Sequence, residues 1–166
     1  RMTLGEMKAV LDADFEGAEA VRQRFLNAHP KYGQDDADVD GLVEETLAFV
    51  SDICADFSVA PDGSPYVPGA FAWVMHERMG RETGATPDGR RAGFPFADGC
   101  GPAQGRETAG PTAAVLSVTR WDHSRMIGGL ALNLKFNRAL FDSDEGVGSL
   151  RTLLLTYLKR GGFEVQ

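Results

Sequence analysis

Two adjacent arginines, Arg90 and Arg91, close the turn-dense run Gly84-Ala85-Thr86-Pro87-Asp88-Gly89-Arg90-Arg91-Ala92-Gly93. Glycine, four residues, glycine and then a base is the outline of a phosphate-binding loop. The lysine and hydroxyl that end such a loop are missing, and Pro87 removes an amide donor that the cradle needs. The other chemistry open to these residues is structural. In Thr86-Pro87-Asp88-Gly89 the proline presets φ for a β-turn and the glycine takes its strained position. An arginine fork just beyond can tie neighbouring loops through their carbonyls and carboxylates. That loop-shaping role is favoured for Thr86, Asp88, Arg90 and Arg91 over direct contact with a substrate.

Cys100 stands in a glycine-rich turn and is a candidate nucleophile, with His76 and His123 as candidate bases for a small hydrolase. Nothing in their spacing pairs them, since such partners meet only in the fold. Gly99-Cys100-Gly101 followed by Gly105 misses the dinucleotide-binding spacing by one residue. Cys54 falls on an apolar helical face and reads as a core residue. Histidines at 29, 76 and 123 give no metal spacing, so no metal site is expected.

These residues must be held by elements that the patterning outlines. Thr3-Leu4-Gly5-Glu6 is a capping box opening a helix to about Ala13. Gly17 to about Ala28 reads as a second helix, stopped by Pro30. Asp38 or Asp40 starts the most regular helix. Val39, Leu42, Val43, Thr46, Leu47, Val50, Ile53, Cys54 and Phe57 form its apolar face, and Glu44, Glu45, Ser51 and Asp52 its wet one. Ala70 to Met75 is expected to be a short strand. Residues 80–111 hold eight glycines and four prolines, a loop of a length that is usually functional. Gly110-Pro111-Thr112 is a helix entry. Leu130–Phe136 alternates as a strand, Leu150–Leu158 is helical, Gly161-Gly162 ends it, and Phe163–Gln166 begins another strand. Strand, helix, strand at this spacing predicts a parallel βαβ unit with a right-handed crossover. Alternation sets Asn133 and Lys135 on one face, opposite Leu132 and Leu134. There they could hold loops or touch a polar substrate, with the structural role favoured.

The net charge of −7 is unevenly placed over the 166 residues. Residues 1–62 carry 14 acids and 5 bases, and residues 63–166 carry 10 acids and 12 bases. No basic stripe interleaves with aromatics, which argues against a nucleic-acid partner. No apolar run is long enough for a transmembrane helix and no signal peptide is recognisable, so no membrane partner is expected. Two cysteines without paired spacing point to a reducing compartment, with the cytoplasm as the default. Both ends read as cuts in a larger protein. The expectation is one partial domain over 1–166: a mainly helical acidic part, 1–60, and a strand, loop and helix part, 61–166.

Read together, several motifs resemble the glycyl radical enzymes of the pyruvate formate-lyase-like class. They are Lys31-Tyr32-Gly33-Gln34-Asp35-Asp36, where relatives usually have Lys-Tyr-Gly-Asn-Asp; Ala85–Gly93; Ala97-Asp98-Gly99 with Pro102 and Gly105; Gly110-Pro111-Thr112-Ala113 with Ser117-Val118; Asn133 with Lys135-Phe136; and Gly161-Gly162 with Val165-Gln166. They keep family order and spacing over nearly the whole chain. The resemblance implies an α/β fold of helices and a few parallel strands, a piece of a ten-stranded α/β barrel. It implies that, in the parent, a radical on a backbone glycine passes to a cysteine whose thiyl radical abstracts hydrogen from substrate. A separate iron–sulfur activating enzyme installs that radical with S-adenosylmethionine. The family's Gly-Cys-x-Glu motif lies upstream of the matched region and its Arg-Val-x-Gly motif downstream. Neither occurs here, so the chain resembles an internal piece with neither catalytic group and no bound cofactor of its own. Its implied partners are the remainder of the barrel and the activating enzyme. A structural module that self-associates through strand edges is the alternative.

Overall fold

The computed structural model describes residues 2–59 and 61–165. Its helices are α1 (Leu4–Asp12), α2 (Glu19–Asn27), α3 (Ala37–Ala55), α4 (Met75–Arg81), α5 (Pro111–Val118) and α6 (Asp144–Lys159), with two-residue strands β1 (Ser58–Val59) and β2 (Ser64–Pro65). The chain divides into two compact units. One joins the residues up to Pro30 with Ala72–Ala97, and the other joins Lys31–Phe71 with Asp98 onward. The division interleaves the sequence.

In the first unit, local chemistry sets the helices. The Thr3 hydroxyl accepts the Glu6 amide at 3.2 Å and the Glu6 carboxylate accepts the Thr3 amide at 2.8 Å, the reciprocal cap that starts α1. Between α1 and α2 the backbone turns through Asp14 (φ 48°) and Phe15 (φ 63°). Phe15 is fully buried, edge-on to Phe25 at 6.2 Å between ring centres. Its burial offsets a backbone region that bulky residues otherwise avoid.

The expected strand at Ala70–Met75 does not form. Ala70 alone pairs, as a parallel bridge with Leu130. Trp73 then takes φ 49°, Met75 N donates to Ala72 O at 2.8 Å, and α4 begins. The left-handed residue breaks the extended run, and the chain coils into a helix that apolar patterning alone did not distinguish from a strand.

The core of the second unit gathers Val115 and Val118 of α5, Leu130, Leu132, Trp121, Met126, Cys100, and Leu153 and Tyr157 of α6. Each fully buried aliphatic here contributes about 1.5–3 kcal/mol. The extended run Leu130–Leu132 lies at its centre. Around it Ala70 N donates to Gly129 O at 2.8 Å, Cys100 N to Ala131 O at 2.9 Å, and Leu132 N to Glu164 O at 3.1 Å. Leu132 pairs with Val165 in parallel, as the βαβ spacing predicts, with α6 in the crossover. The expected parallel strands are nonetheless single bridge pairs, and the two-stranded β1–β2 ladder is antiparallel. The bridges stop at Leu132, and past the expected end at Phe136 the Asn137 Oδ1 accepts the Ala139 amide at 3.0 Å and opens a 3-10 turn, Arg138–Asp142. Gln166, the last residue of the second expected strand, lies outside the described residues.

Helix α3 corrects the expected start and the expected face. It starts at Ala37, capped by Asp36, whose Oδ1 accepts the amides of Asp38 and Val39 at 3.2 and 3.1 Å. Val43 and Leu47 pack against the core and Asp40 is wholly buried. Leu42 and Phe49 are 65% and 63% exposed, with Val50, Ile53 and Phe57 exposed beside them. The apolar arc is wider than one packed side, and α3 turns its Asp40–Val43–Leu47 edge inward.

Candidate functional site

In the first unit, Thr86, Asp88, Arg90 and Arg91 form one hydrogen-bonded knot. Gly89 N donates to Thr86 O, and Thr86 N to Arg90 O, both at 3.0 Å, closing the turn with Gly89 at φ 92°. The Thr86 hydroxyl donates to Asp88 Oδ1 at 2.5 Å, and the Arg90 amide donates to the same oxygen at 3.3 Å. Arg90 is 8% exposed. Its guanidinium donates to Thr86 Oγ1 (3.2 Å), Phe94 O (2.6 Å), Arg91 O (3.3 Å) and Gly84 O (2.5 Å), and sits 4.3 Å from the centre of the Phe96 ring. Arg91 reaches the other way, donating to Asp14 O at 3.2 Å and to Glu19 Oε2 at 2.7 Å. Arg22 Nε adds a bond to Gly89 O at 2.9 Å. Both guanidinium groups are thus engaged by acceptors of their own unit.

In the second unit the remaining motifs converge. Gln34 Nε2 donates to Arg106 O at 2.8 Å and to Thr108 Oγ1 at 2.9 Å, Tyr32 OH to Cys100 O at 3.1 Å, and Asp35 N to Ser117 Oγ at 2.8 Å. Lys31–Asp36 therefore staples the glycine-rich loop and α5 together. Beside this seam lies a cavity of about 380 Å³, lined by residues that include Asp98, Pro102, Pro111, Asn133, Lys135 and Phe136. Asn133 and Lys135 are both among its lining residues, and so are Leu134 and Phe136. Its apolar walls are proline, leucine and phenylalanine, and Gln104 and Glu107 line it as well. The amide, the ammonium and the Asp98 carboxyl give polar handles of the sort that orient a small ligand.

The titratable groups around this seam are tuned by burial. Burial pushes the Cys100 thiol up to about 12, so it is a thiol and not a nucleophilic thiolate near neutrality. The same cause raises Tyr32, and raises Tyr157 to about 12. His123 donates Nε2–H to Val118 O at 2.7 Å and buries Nδ1 without a partner; burial lowers its pKa. His76 Nδ1 is bonded to Trp73 O at 2.8 Å. Asp40 was missed by sequence reading. Its carboxyl pKa is raised by burial, and the Ser117 hydroxyl and Arg120 charge, near but not in hydrogen-bond geometry, offset that only in part. Its position three and seven residues before Val43 and Leu47 was the available signal. Among the described residues no three His, Cys, Asp or Glu side chains gather as metal ligands would.

Two family models match the chain in series: pyruvate formate lyase-like over residues 1–80 and glycine radical over residues 96–166. A probable dehydratase, YbiW of Escherichia coli, is 34% identical over 97% of this chain and 21% of its own length. The trans-4-hydroxy-L-proline dehydratase of Clostridioides difficile is 32% identical over 94% of this chain and 20% of its own. The glycerol-bound B12-independent glycerol dehydratase of Clostridium butyricum superposes with a TM-score of 0.90 at 35% identity, over 99% of this chain and 21% of that one. The chain belongs to the glycyl radical enzyme family. It spans about a fifth of the length of the curated relatives it matches.

Proposed function

We propose that the chain is the part of a pyruvate formate-lyase-like glycyl radical enzyme that frames the reaction chamber without carrying its reacting groups. The observation that carries this reading is the serial match of the two family models to 1–80 and 96–166, in a sequence with neither an Arg-Val-x-Gly nor a Gly-Cys-x-Glu run. The parallel bridges Ala70–Leu130 and Leu132–Val165 support a place in a ten-stranded α/β barrel. The whole enzyme abstracts hydrogen from substrate through a thiyl radical, as a lyase of the dehydratase or decarboxylase type or as a formate acetyltransferase, in the cytoplasm of an anaerobic metabolism. An activating enzyme installs the glycyl radical with S-adenosylmethionine and an iron–sulfur cluster. Here Asn133 and Lys135 border the chamber from the 380 Å³ cavity, while Thr86, Asp88, Arg90 and Arg91 hold a loop in shape. The remainder of the barrel is the first partner.

The chain is incubated with reduced activating enzyme and S-adenosylmethionine and followed by electron spin resonance. No glycyl doublet is expected from this chain alone, and a doublet would overturn the assignment. The exposed Leu42, Phe49 and Ile53 of α3 favour a second reading, a structural module that self-associates. A cysteine hydrolase built on Cys100 lacks a thiolate at neutral pH.

A further inference from the structure

Most of the readily oxidised side chains of the second unit lie together, apart from Cys54 of α3 and the exposed Tyr66. Tyr32, Cys100, Trp121, Met126 and Tyr157 all belong to, or pack against, one core. Within it, Trp121 Nε1 donates to Tyr32 OH at 3.0 Å, and Tyr32 OH donates onward to Cys100 O at 3.1 Å. The Trp121 ring lies 4.3 Å from that of His123, which lies 5.9 Å from that of Tyr157. Trp121 is buried at 5% exposure, whereas Tyr32 is half-buried in the Lys31–Asp36 loop. A hydrogen-bonded indole and phenol thus connect the inside of this core with its rim.

We propose that Trp121 and Tyr32 form a relay that carries an oxidising equivalent out of the core. The first step is one-electron oxidation of the Trp121 indole by a radical oxidant. The oxidant is reduced, and the indole loses its Nε1 proton to water, leaving a neutral indolyl radical. In the second step the Tyr32 O–H turns from the Cys100 carbonyl to the indolyl nitrogen. One hydrogen atom, proton and electron together, crosses the 3.0 Å contact. Trp121 regains its N–H and Tyr32 becomes a neutral phenoxyl. The step needs no further base, because the bond that breaks and the bond that forms share the same hydrogen. At the rim, a soluble hydrogen-atom donor returns the phenoxyl to tyrosine. The beneficiaries are Cys100 and Met126, whose thiol and thioether lie buried in the same cluster.

Pulse radiolysis with azidyl radical tests the relay in the whole chain carrying Trp73→Phe, which removes the exposed second tryptophan. The indolyl absorbance is expected to decay as the phenoxyl absorbance grows, with one first-order rate independent of protein concentration. Adding Tyr32→Phe, which deletes only the hydroxyl, is expected to slow that decay by an order of magnitude or more. With Tyr32 intact, transfer in heavy water is expected to be slower, since a hydrogen atom moves. An unchanged rate in Tyr32→Phe would assign the exit to Tyr66 or Tyr157 and overturn the proposal. So would a rate that scales with protein concentration, or the absence of a solvent isotope effect. The isotope measurement decides even if Tyr32→Phe fails to fold.

Discussion

Arg90 differs from most surface arginines in that it is almost wholly enclosed and its four hydrogen bonds end on groups within eleven residues of one another in sequence. It fixes the shape of a loop that has little regular structure of its own. Arg90→Ala strands Gly84 and Phe94 carbonyls and is expected to cost about 3 kcal/mol in urea unfolding. Arg90→Lys is expected to recover little, because an ammonium cannot present the planar fork. Asp40 acts in the opposite sense. Its carboxyl is raised in the folded chain, so the native state holds a proton that the unfolded state releases. The stability this lends is complete below the unfolded value of about 4 and is lost as pH rises through the folded one. Asp40→Asn is therefore expected to raise the urea midpoint near neutrality, with the gain vanishing below about pH 4. An unchanged midpoint near neutrality would mean that the buried carboxylate is compensated. His123 has a lowered pKa, so its contribution is present above the unfolded value of about 6.5 and is lost as the pH falls.

Among the elements, those fixed by nearby residues were legible in the sequence. Thr3 with Glu6 marks the start of α1, Pro111 the start of α5, and both helices form where the local chemistry puts them. Elements fixed by distant contacts were not. The apolar run at Ala70–Met75 is broken by a backbone angle at Trp73 that no pattern encodes, and the inward edge of α3 is the one whose Val43 and Leu47 meet the core cluster. The site was divided in the same way. The turn at Thr86–Gly89 and the arginine fork follow from residue type, whereas the meeting of Gln34 with Arg106 and Thr108 depends on the fold. A pair of glycines tests the distinction. A Cβ at Gly80 of α4 would stand 2.3 Å from Phe94 O, while one at Gly41 of α3 meets nothing within 4 Å. Gly80→Ala is expected to destabilise by about 1–3 kcal/mol through overpacking. Gly41→Ala is expected to stabilise by about 0.5–1 kcal/mol by reducing backbone freedom in the unfolded chain. Thermal melts followed by circular dichroism measure both.

For the molecule as a whole, the distribution of apolar surface is the informative quantity. Leu42, Phe49, Ile53 and Phe57 of α3 and its C-terminal flank are exposed, which is more than a solitary helix face ordinarily leaves in water. A chain that spans about a fifth of its relatives has surface that a longer chain would use. Phe49→Gln is expected to change the unfolding free energy by less than about 0.5 kcal/mol, since little of the ring is packed. It is also expected to lower the weight-average mass seen by sedimentation equilibrium. A mass equal to the monomer's for the parent chain at all concentrations would remove self-association from consideration. The run Leu130–Leu132 has a further consequence, in the time domain. The amides of Cys100 and Leu132 and the carbonyls of Gly129, Ala131 and Glu164 tie this one short segment to three others far apart in sequence. Opening it therefore requires Ala70, the glycine-rich loop and the α6 crossover to release together. In deuterium oxide, the amide protons of Ala70, Cys100 and Leu132 should consequently outlast those of the longer and more regular α3, and they should exchange with a common free energy that reports the unfolding of the whole unit.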